Sequence, residues 1–449
     1  MRVARWLLRH PGFALGPVAL VWAVLRFGAT PVGCTVAGVV LVVLVWGRGH
    51  PATFDRWAAP RLRSMKRRWF DYRGRRWSDV LGDCELSRED RRTGELVVPR
   101  VEKVRAVTPS IDTIRVRLAR GQDVKTWTDQ SEALAHALCA ERVAVAKYRP
   151  GRLTLVVERV DPFPWVLPAP PIPATSAEVD LRALDIGDTE YGTPATVSVT
   201  DGSHLLGVGA TGTGKSGLEW GTLRQVGPMI RDGVVRVRMI DLKGGTETEA
   251  GRDLFYRYAT TVEEAIRLLT EVHDDMKAAQ EQQRLAGRRK DTPSVDTPQD
   301  LVYIDELAML TAYGKREHVR EALRLLAVIM TQGRSTLFTV LGFLQEPSKD
   351  ILEVRELFTS RICLGVTAAS HVDMTLGEGA RDRGALADEI PLDEEHAGIG
   401  FRIDKGSRLP TRLRLGYSQD VDIAELARLC APTRRLTSVK TNGADEAVA

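Results

Sequence analysis

The segment with the clearest chemistry runs from Gly209 to Ser216, reads GATGTGKS and matches the pattern G-x-x-x-x-G-K-[ST]. Its glycines allow the backbone to wrap a phosphate group, so that successive N–H groups point at the anion. We expect Lys215 to reach the β- and γ-phosphates and Ser216 to bind Mg²⁺. The predicted nucleotide contacts are Gly209, Ala210, Thr211, Gly212, Thr213, Gly214, Lys215 and Ser216. The sequence therefore predicts a site for ATP and Mg²⁺.

A second chemical signal is the acidic pair Asp305-Glu306, which ends the apolar run from Leu301 to Ile304. An apolar strand that ends in Asp places a carboxylate at the edge of the sheet where the phosphate loop also lies. Asp305 would hold Mg²⁺ through its water shell. Glu306 would orient and deprotonate the attacking water, because this step needs a carboxylate just beyond the metal ligand. Taken alone, such a pair also fits a strand end followed by a helix-capping acid.

Further candidates lie at the ends of other predicted strands. Asp241 and Lys243 follow the strand after the phosphate loop, so their side chains reach the same edge. Gln345 ends another apolar strand and could sense the γ-phosphate through a hydrogen bond. Arg334 and Arg361 could serve as arginine fingers supplied to a neighbouring subunit. Each has a plain alternative, with Gln345 as a turn residue and the arginines as solvated or ion-paired side chains.

The composition excludes some classes of protein and leaves others open. The 449 residues, 43% hydrophobic and 27% charged, suffice for two or three globular domains. A net charge of +4 is too small to indicate nucleic acid by itself, but basic residues concentrate between Arg61 and Arg76. The five cysteines are scattered and lack CxxC spacing, which indicates free thiols in a reducing compartment rather than disulfides or a structural zinc.

The segment from Pro11 to Trp46 predicts membrane attachment, because Arg26 is its one charged residue. Its 36 residues are too many for one span and suit two short spans that turn after Arg26. Arginines flank both outer ends, so the positive-inside rule places both ends, and with them the predicted ATP site, in the cytoplasm of a multi-pass membrane protein. The alternative is one span near Ala29–Trp46; a cleaved signal peptide is disfavoured by the long apolar run. The basic cluster that follows suits anionic headgroups better than DNA.

The rest of the chain divides by its pattern of strands, helices and prolines. Six prolines between Pro162 and Pro173 predict a stiff linker. After it, strands and helices alternate, which predicts an α/β domain with a mostly parallel sheet covered on both faces. The predicted parts are a transmembrane hairpin at 1–50, a basic juxtamembrane linker at 51–95, a small α+β domain at 96–161, a Pro-rich linker at 162–178, a P-loop motor domain at 179–418, and a C-terminal helix with a polar tail at 419–449.

In their order along the chain, these motifs resemble the FtsK/SpoIIIE family of double-stranded-DNA translocases over roughly Leu96–Tyr417. The motifs are HLLGVGATGTGKS, IDLKGG (Ile240–Gly245), VYIDELAML (Val302–Leu310), QGRS (Gln332–Ser335), Leu344-Gln345 and Ser360-Arg361-Ile362. The resemblance implies a RecA-like domain, ATP with Mg²⁺, and a homo-hexamer that threads duplex DNA through its pore. It also implies a sensor role for Gln345 and a trans-acting finger at Arg334, with Arg361 a weaker candidate. The small α+β domain resembles the β-domain of the family.

The chain departs from the chromosome-segregation members, which carry a longer membrane domain and a C-terminal winged helix that reads DNA sequence. The residues after Tyr417 leave no room for a winged helix. The chain is most similar to the Tra-type plasmid-transfer proteins of mycelial actinobacteria, which implies a membrane-anchored pump for conjugative transfer, with accessory transfer proteins as further partners. A chromosome-segregation pump, an ATPase of a protein secretion system and a non-catalytic scaffold stay open as alternatives.

Overall fold

A computed structural model describes residues 21–89, 94, 96–347, 352–404 and 406–432 of the chain. The α-helices are α1 (Ala29–Gly49), α2 (Pro51–Trp57), α3 (Ala59–Phe70), α4 (Gly74–Asp83), α5 (Val124–Asp129), α6 (Ser131–Leu138), α7 (Lys215–Arg231), α8 (Val262–Leu285), α9 (Ala308–Thr311), α10 (Arg316–Gln332), α11 (Leu352–Arg355), α12 (Ala369–Leu376) and α13 (Asp420–Cys430). The strands are β1 (Arg88–Glu89), β2 (Leu96–Val97), β3 (Arg100–Ala106), β4 (Ile111–Arg117), β5 (Arg142–Arg149), β6 (Arg152–Glu158), β7 (Leu167–Pro168), β8 (Leu184–Thr189), β9 (Pro194–Val197), β10 (Leu205–Val208), β11 (Val235–Asp241), β12 (Arg257–Ala259), β13 (Gln299–Asp305), β14 (Phe338–Leu344), β15 (Ser360–Leu364), β16 (Ile399–Ile403) and β17 (Pro410–Tyr417).

The helix α1 is apolar along its length, with a mean hydropathy of 2.1 over its most apolar part, and none of its residues is buried. Its 21 residues span about 31 Å. This length matches the hydrocarbon core of a bilayer, which is about 30 Å thick. Among the described residues, α1 is the one helix that is long and apolar enough to cross a membrane.

The predicted transmembrane hairpin is not seen in the part of the chain that the structure describes. Residues 21–27 are helical, and Gly28, with a φ of 88°, separates them from α1. Most of the first predicted arm falls on residues 1–20, which lie outside the described residues. The described residues therefore support one apolar helix and not two spans.

The segment 51–95 is not the linker that its charge pattern suggests. The helices α2, α3 and α4 occupy much of it, and Trp77, Leu81 and Leu86 are buried in the core of the small domain. The Nε1–H group of Trp77 donates a hydrogen bond to the carbonyl oxygen of Pro99 at 3.0 Å. Arginines surround these few apolar residues in the sequence, and only their contacts with the sheet reveal that they are buried. The core of the small domain therefore begins well before residue 96.

The sheet of the small domain has four antiparallel strands in the order β3-β4-β6-β5. The helices α5 and α6 contact its strand β5 and contribute the fully buried Trp127 and Leu134 to the core. Ile114 and Leu155, also fully buried, contribute from the strands. The small domain therefore has a hydrophobic core of its own.

The sheet of the motor follows the order β12-β11-β13-β14-β10-β15-β16-β17-β8-β9. Neighbouring strands from β12 to β15 are parallel, whereas β16, β17, β8 and β9 continue the sheet with antiparallel pairs. The α/β prediction is therefore confirmed, but the sheet is mixed. Its antiparallel half is not indicated by the sequence pattern, because β16 and β17 carry Arg402, Arg412 and Arg414 among their apolar residues.

Helices cover both faces of the motor sheet. Leu218 of α7 and Leu426 of α13 belong to the core on one face, and Leu269 of α8 and Leu325 of α10 belong to the core on the other. The predicted C-terminal helix thus packs on the motor, while most of the predicted polar tail lies at 433–449, outside the described residues. Two packed faces hold the central strands, and hence the loops at their carboxyl ends, in fixed positions.

The Pro-rich segment runs along the motor. Its strand β7 pairs in parallel with β17. The Nε of Arg224 and the Nε2 of Gln225, both on α7, donate hydrogen bonds to the carbonyl oxygens of Pro170 and Pro171 at 2.9 and 2.8 Å. The segment 162–178 is therefore bound to the motor surface over part of its length.

A buried ion-pair network joins the small domain to the motor. The guanidinium of Arg142, on β5, donates to Glu158 at 2.9 Å, to Glu190 of the motor at 2.7 Å, and to the carbonyl oxygen of Gly384 at 2.7 Å. Arg412 of β17 pairs with the same Glu158. Removing one member of such a network leaves a buried charge without its partner, so the network fixes how the two domains meet.

Candidate nucleotide site

The phosphate loop connects β10 to α7 at the carboxyl edge of the parallel strands. The N–H of Gly209 donates to the carbonyl oxygen of Leu344 at 3.1 Å, and the N–H of Ala210 donates to that of Gly365 at 2.8 Å. Inside the loop, the Thr213 hydroxyl donates to the Ala210 carbonyl oxygen at 2.7 Å. The loop is therefore held from both sides, by the ends of β14 and β15.

Lys215 and Ser216 form the start of α7, as the loop pattern predicts. The Nζ of Lys215 donates to the carbonyl oxygens of Gly209 and Ala210 at 2.7 and 3.0 Å, so the amine lies inside the curve of the loop. Burial lowers the pKa of this amine, and the nearby charge of Lys243 lowers it further. The Ser216 side chain is exposed on the first turn of the helix. Both positions suit the predicted contacts with phosphate and Mg²⁺.

The glycine at position 214 is required by the fold of the loop. Its φ is 90°, and a Cβ built there would lie 2.6 Å from the backbone nitrogen of Gly398. That nitrogen donates to the Thr213 carbonyl oxygen at 2.9 Å, so it cannot move away without losing a bond to the loop. The loop preceding β16 therefore closes directly on the phosphate loop, a contact that the sequence pattern does not indicate.

We expect Gly214→Ala to weaken ATP binding at least about tenfold, because the left-handed backbone alone costs an L-residue roughly 1–2 kcal/mol and the contact with Gly398 adds to it. Gly212→Ala is the matched control. Its φ is 80°, but nothing lies within 4 Å of its Cβ position. Titration with a fluorescent ATP analogue measures both variants. Equal losses in the two variants would contradict the role of the Gly398 contact.

The acidic pair ends β13, two strands away from β10. The strand β14 lies between them, so the end of β14 separates the acidic pair from the phosphate loop. Asp305 is nearly buried, and Asp241 is its register partner on β11. The Nζ of Lys243 lies 3.1 Å from Asp305 Oδ2, an oxygen that accepts no hydrogen bond from the described residues. Burial raises the pKa of the Asp305 carboxyl, and the charge of Lys243 opposes this shift.

These oxygen groups fit a magnesium ion. Mg²⁺ prefers carboxylate and hydroxyl oxygens together with water. The Oδ2 of Asp305 is a buried carboxylate oxygen that accepts no hydrogen bond from the described residues, although the charged Lys243 amine lies 3.1 Å away. The exposed Ser216 hydroxyl supplies a second oxygen on α7. Asp305 and Ser216 would hold the ion, as the sequence predicts.

Glu306 follows β13 in an unusual backbone conformation. Its φ of 62° lies in the left-handed region, which a residue other than glycine rarely adopts without a structural requirement. Burial raises the pKa of its carboxyl group, and a hydrogen bond from the backbone N–H of Gln345 acts in the opposite direction. A carboxylate with a raised pKa is a better general base. The geometry thus suits the proton-accepting role predicted for Glu306.

Gln345 lies between the acidic pair and the phosphate loop. The hydroxyl of Thr211 donates to its Oε1 at 3.0 Å, while its backbone N–H contacts Glu306. This one residue therefore contacts both parts of the site, which favours the sensor role over the alternative of a simple turn residue.

The two candidate arginines lie elsewhere. Arg334 precedes β14 and Arg361 lies near the start of β15, so both are at the amino edge of the parallel strands, opposite the phosphate loop. The guanidinium of Arg361 donates to the Phe358 carbonyl oxygen at 3.0 Å and pairs with Glu356 at 3.5 Å. Arg334 is exposed and makes no hydrogen bond or ion pair with the described residues. Of the two arginines, Arg361 is thus engaged within its own chain, and Arg334 is not engaged by the described residues.

Two features near the site were not predicted: the burial of Glu219 and the ion pair of Lys243 with Asp305. Glu219 lies on α7, fully enclosed, and its Oε1 has no hydrogen-bond partner among the described residues. Burial, followed by the charge of Asp305, raises the pKa of this carboxyl well above its usual value. An acid on a helix is normally solvated, so the sequence gives no signal for it. The ion pair of Lys243 was missed because it depends on the strand order, which places β11 beside β13.

We expect Lys243→Met to strengthen binding of Mn²⁺, a stand-in for Mg²⁺, about tenfold or more in the absence of nucleotide. In the wild type the Lys243 amine neutralises the Asp305 carboxylate. Two opposite charges 4 Å apart at the protein surface attract each other by about 4 kcal/mol, and a metal ion must compete with this attraction to bind Asp305. Electron paramagnetic resonance of free Mn²⁺ measures the affinity. Lys243→Arg, which keeps the charge, and Lys125→Met, which removes an exposed ion pair with Asp129, should leave it unchanged. Weaker Mn²⁺ binding by Lys243→Met would contradict this reading.

Parts of this chain are similar to known proteins. The sequence model of the actinomycete conjugal transfer protein N-terminal domain matches residues 50–159, which include the helices α2 to α4 and the small sheet. DNA translocase FtsK of Lactococcus lactis subsp. cremoris is 25% identical over 343 residues, which are 71% of this chain and 43% of that protein. The chain is therefore similar to a conjugal transfer domain at residues 50–159 and to an FtsK DNA translocase over 71% of its length.

Two further proteins are similar to this chain. DNA translocase FtsK of Streptococcus pneumoniae is 24% identical over 346 residues, which are 71% of this chain and 43% of that protein. The chain thus spans less than half the length of these two FtsK proteins. The solved monomer of the pCW3 conjugation coupling protein TcpA, determined with ATPγS, shares 18% identity and a TM-score of 0.51 over 74% of this chain and 94% of its own. That likeness shows that the two chains share a fold.

Proposed function

We propose that this chain is a membrane-anchored, ATP-hydrolysing translocase that moves the double-stranded DNA of a plasmid or integrative element between cells. The observation that carries the proposal is the division of the site between two edges of the sheet. Lys215, Asp305, Glu306 and Gln345 lie at one edge, while Arg334 is exposed at the other and has no partner among the described residues. A site divided in this way is completed only when subunits meet edge to edge in a ring.

Within one site, each residue has a distinct task. The backbone N–H groups of the loop and the Lys215 amine bind the phosphates, and Asp305 with Ser216 would hold Mg²⁺, which neutralises charge on the transferring phosphoryl group. Glu306 accepts a proton from the attacking water at its carboxylate. Gln345 contacts both the loop and the base, so it can report the presence of the γ-phosphate to β14.

The ring supplies the missing group. We propose a homo-hexamer in which Arg334 of each subunit reaches the phosphate loop of the next one and stabilises charge in the transition state. Arg361 is engaged with Phe358 and Glu356 of its own chain, so we assign it a structural role in positioning the start of β15.

The relatives support DNA as the cargo, and α1 supports a location in the cell membrane. The relatives are named as DNA translocases and a conjugation coupling protein, and residues 50–159 match a conjugal transfer domain, which together support DNA transfer. We propose that α1 spans the cell membrane with the motor in the cytoplasm, because Arg48, Arg56 and the basic residues of α3 follow its carboxyl end. A second span would have to come from the residues before Gly28.

Steady-state ATP hydrolysis of the full chain in detergent tests this proposal. We expect linear duplex DNA to stimulate hydrolysis several-fold and single-stranded DNA of equal length to stimulate it less. Absence of stimulation from an assembled ring would contradict a DNA motor and favour a protein secretion ATPase. Deletion of the gene then separates transfer from chromosome segregation, because only the former predicts loss of element transfer with normal sporulation.

A further inference from the structure

The helix α3 has two faces of different character. Its inner face contacts the small domain: the Ser64 hydroxyl accepts the N–H of Ala106 at 2.9 Å, Arg63 donates to the Val107 carbonyl oxygen at 2.7 Å, and Arg67 pairs with Asp112 of β4 at 3.6 Å. The contacts of α3 with the small domain therefore lie on this one face, which fixes the rotation of the helix.

The outer face of α3 has an apolar stripe with basic side chains on both sides. Leu62, Met65 and Trp69, spaced as i, i+3 and i+7, form one stripe and are 49%, 60% and 36% exposed. The exposed side chains of Arg61, Lys66 and Arg68 flank this stripe, and α3 contains no acidic residue. An exposed apolar stripe with basic flanks is the composition of a helix that lies in the headgroup layer of an anionic membrane.

The position of α3 in the chain also points to a membrane. The short helix α2 is the one element between α1 and α3, and it is bound to the end of α1, because Trp46 donates to the Thr53 hydroxyl at 2.9 Å and its ring contacts Phe54 edge-on. Trp57, 54% exposed, ends α2. Tryptophan is enriched at membrane–water boundaries. If α1 spans the bilayer, α3 begins within a few residues of its surface.

A basic pocket opens between α3, α4 and β3. Its volume is about 640 Å³, and its lining includes Arg68, Arg73, Arg100 and Arg117. The acid in the lining, Glu102, is already bound by Arg117 and Arg152, each at 2.8 Å. Burial and the charge of Arg68 lower the pKa of the Arg73 guanidinium, as expected where positive charge is concentrated. Arginines arranged around a cavity suit a phosphate group, to which guanidinium donates paired hydrogen bonds.

We propose that α3 lies in the headgroup layer of the membrane with Leu62, Met65 and Trp69 facing the acyl chains, and that the pocket beside it binds the phosphate of an anionic lipid. The inference rests on the proposed attachment through α1 and adds a second, lipid-selective contact. Duplex DNA would engage the same arginines but would leave the apolar stripe in water, so the stripe favours the lipid.

Spin-label depth measurements on the full chain in nanodiscs test both parts. Cys34 lies in α1, and Cys139 is the other exposed cysteine of the described residues. With Cys139→Ser, a label on Cys34 reports insertion of α1. In a second variant, Cys34→Ser and Cys139→Ser remove the two exposed cysteines, and Met65→Cys places the label on α3, where it reports the depth of that helix. In a third variant with the same two serines, Leu285→Cys places the label on the exposed surface of the motor as a solvent control.

We expect labels at positions 34 and 65 to collide more with oxygen than with a water-soluble nickel complex, and the label at 285 to do the reverse. A label in the bilayer at 34 but in water at 65 overturns the inference while attachment through α1 stands. If the labels at positions 34 and 65 both lie in water, the proposed membrane attachment through α1 is itself contradicted.

The pocket is tested by its preference for lipid charge. In discs with phosphatidylglycerol the label at 65 should lie deeper than in discs of phosphatidylcholine alone, and Arg68→Gln with Arg100→Gln should abolish this difference. Arg284→Gln with Arg324→Gln, on the motor surface, should preserve it. If the label at position 65 still lies deeper in phosphatidylglycerol discs in the pocket variant, the lipid site is overturned. The lipid site is also overturned if the pocket variant loses duplex-DNA binding while the label at position 65 stays in water.

Discussion

Glu306→Gln is expected to reduce ATP turnover about 10²- to 10⁴-fold while ATP still binds. The amide has nearly the shape of the carboxylate, so the left-handed backbone at φ 62° and the contact with Gln345 can persist. What is lost is the group that accepts the proton of the attacking water. Lys215, Ser216 and Asp305 are untouched, so the variant should retain nucleotide.

Steady-state hydrolysis with saturating duplex DNA measures the loss, and nucleotide retained through gel filtration measures binding. Glu346→Gln is the matched control, because Glu346 is an exposed carboxylate at the same edge of the sheet and lies beside Gln345. Its turnover should equal that of the wild type. Hydrolysis that survives Glu306→Gln would show that another group is the base.

Arg334→Ala is expected to reduce turnover about 10³-fold or more, the magnitude typical of an arginine finger. Arg334 lies at the amino edge of the sheet, away from the phosphate loop of its own chain, so ATP affinity of the isolated subunit should be unchanged. Arg361→Ala is the comparison variant. It should lower the melting temperature, because it removes the contacts with Phe358 and Glu356.

A mixture of subunits distinguishes a finger supplied in trans from one that acts in its own site. Rings of Glu306→Gln subunits alone and rings of Arg334→Ala subunits alone should both be nearly inactive. In mixed rings, an Arg334→Ala subunit contributes an intact Glu306, and a neighbouring Glu306→Gln subunit contributes an intact Arg334. Recovery of turnover on mixing supports a shared site, and a mixture as inactive as its components would contradict it.

Much of the site could be predicted because its residues are local in sequence. The phosphate loop and the Asp305-Glu306 pair each combine an apolar strand with the chemical group that follows it, and parallel strands bring such ends to one edge. The parts that could not be predicted depend on contacts between distant segments. Gly398 reaches the phosphate loop from a position far along the chain, and Lys243 meets Asp305 only through the strand order.

In the fold, too, the features that are local in sequence could be predicted, and those that depend on distant contacts could not. The central parallel strands follow from long apolar runs separated by helical patterns. The burial of Trp77 and Leu81 could not be predicted because basic residues dominate the segment around them. In the antiparallel half of the motor sheet, arginines interrupt the apolar pattern of β16 and β17. The sequence also left Arg334 and Arg361 undecided, since only the structure shows that one of them is engaged within its own chain.

Displacement of a third strand tests the central claim most directly. A triplex-forming oligonucleotide bound to linear duplex DNA dissociates over hours unless a motor that moves along the duplex removes it. We predict that the wild-type chain with ATP and Mg²⁺ displaces it within minutes, whereas Glu306→Gln, or the wild type with ATPγS, does not. Full DNA-stimulated ATP hydrolysis without displacement would contradict the account of this chain as a translocase of duplex DNA.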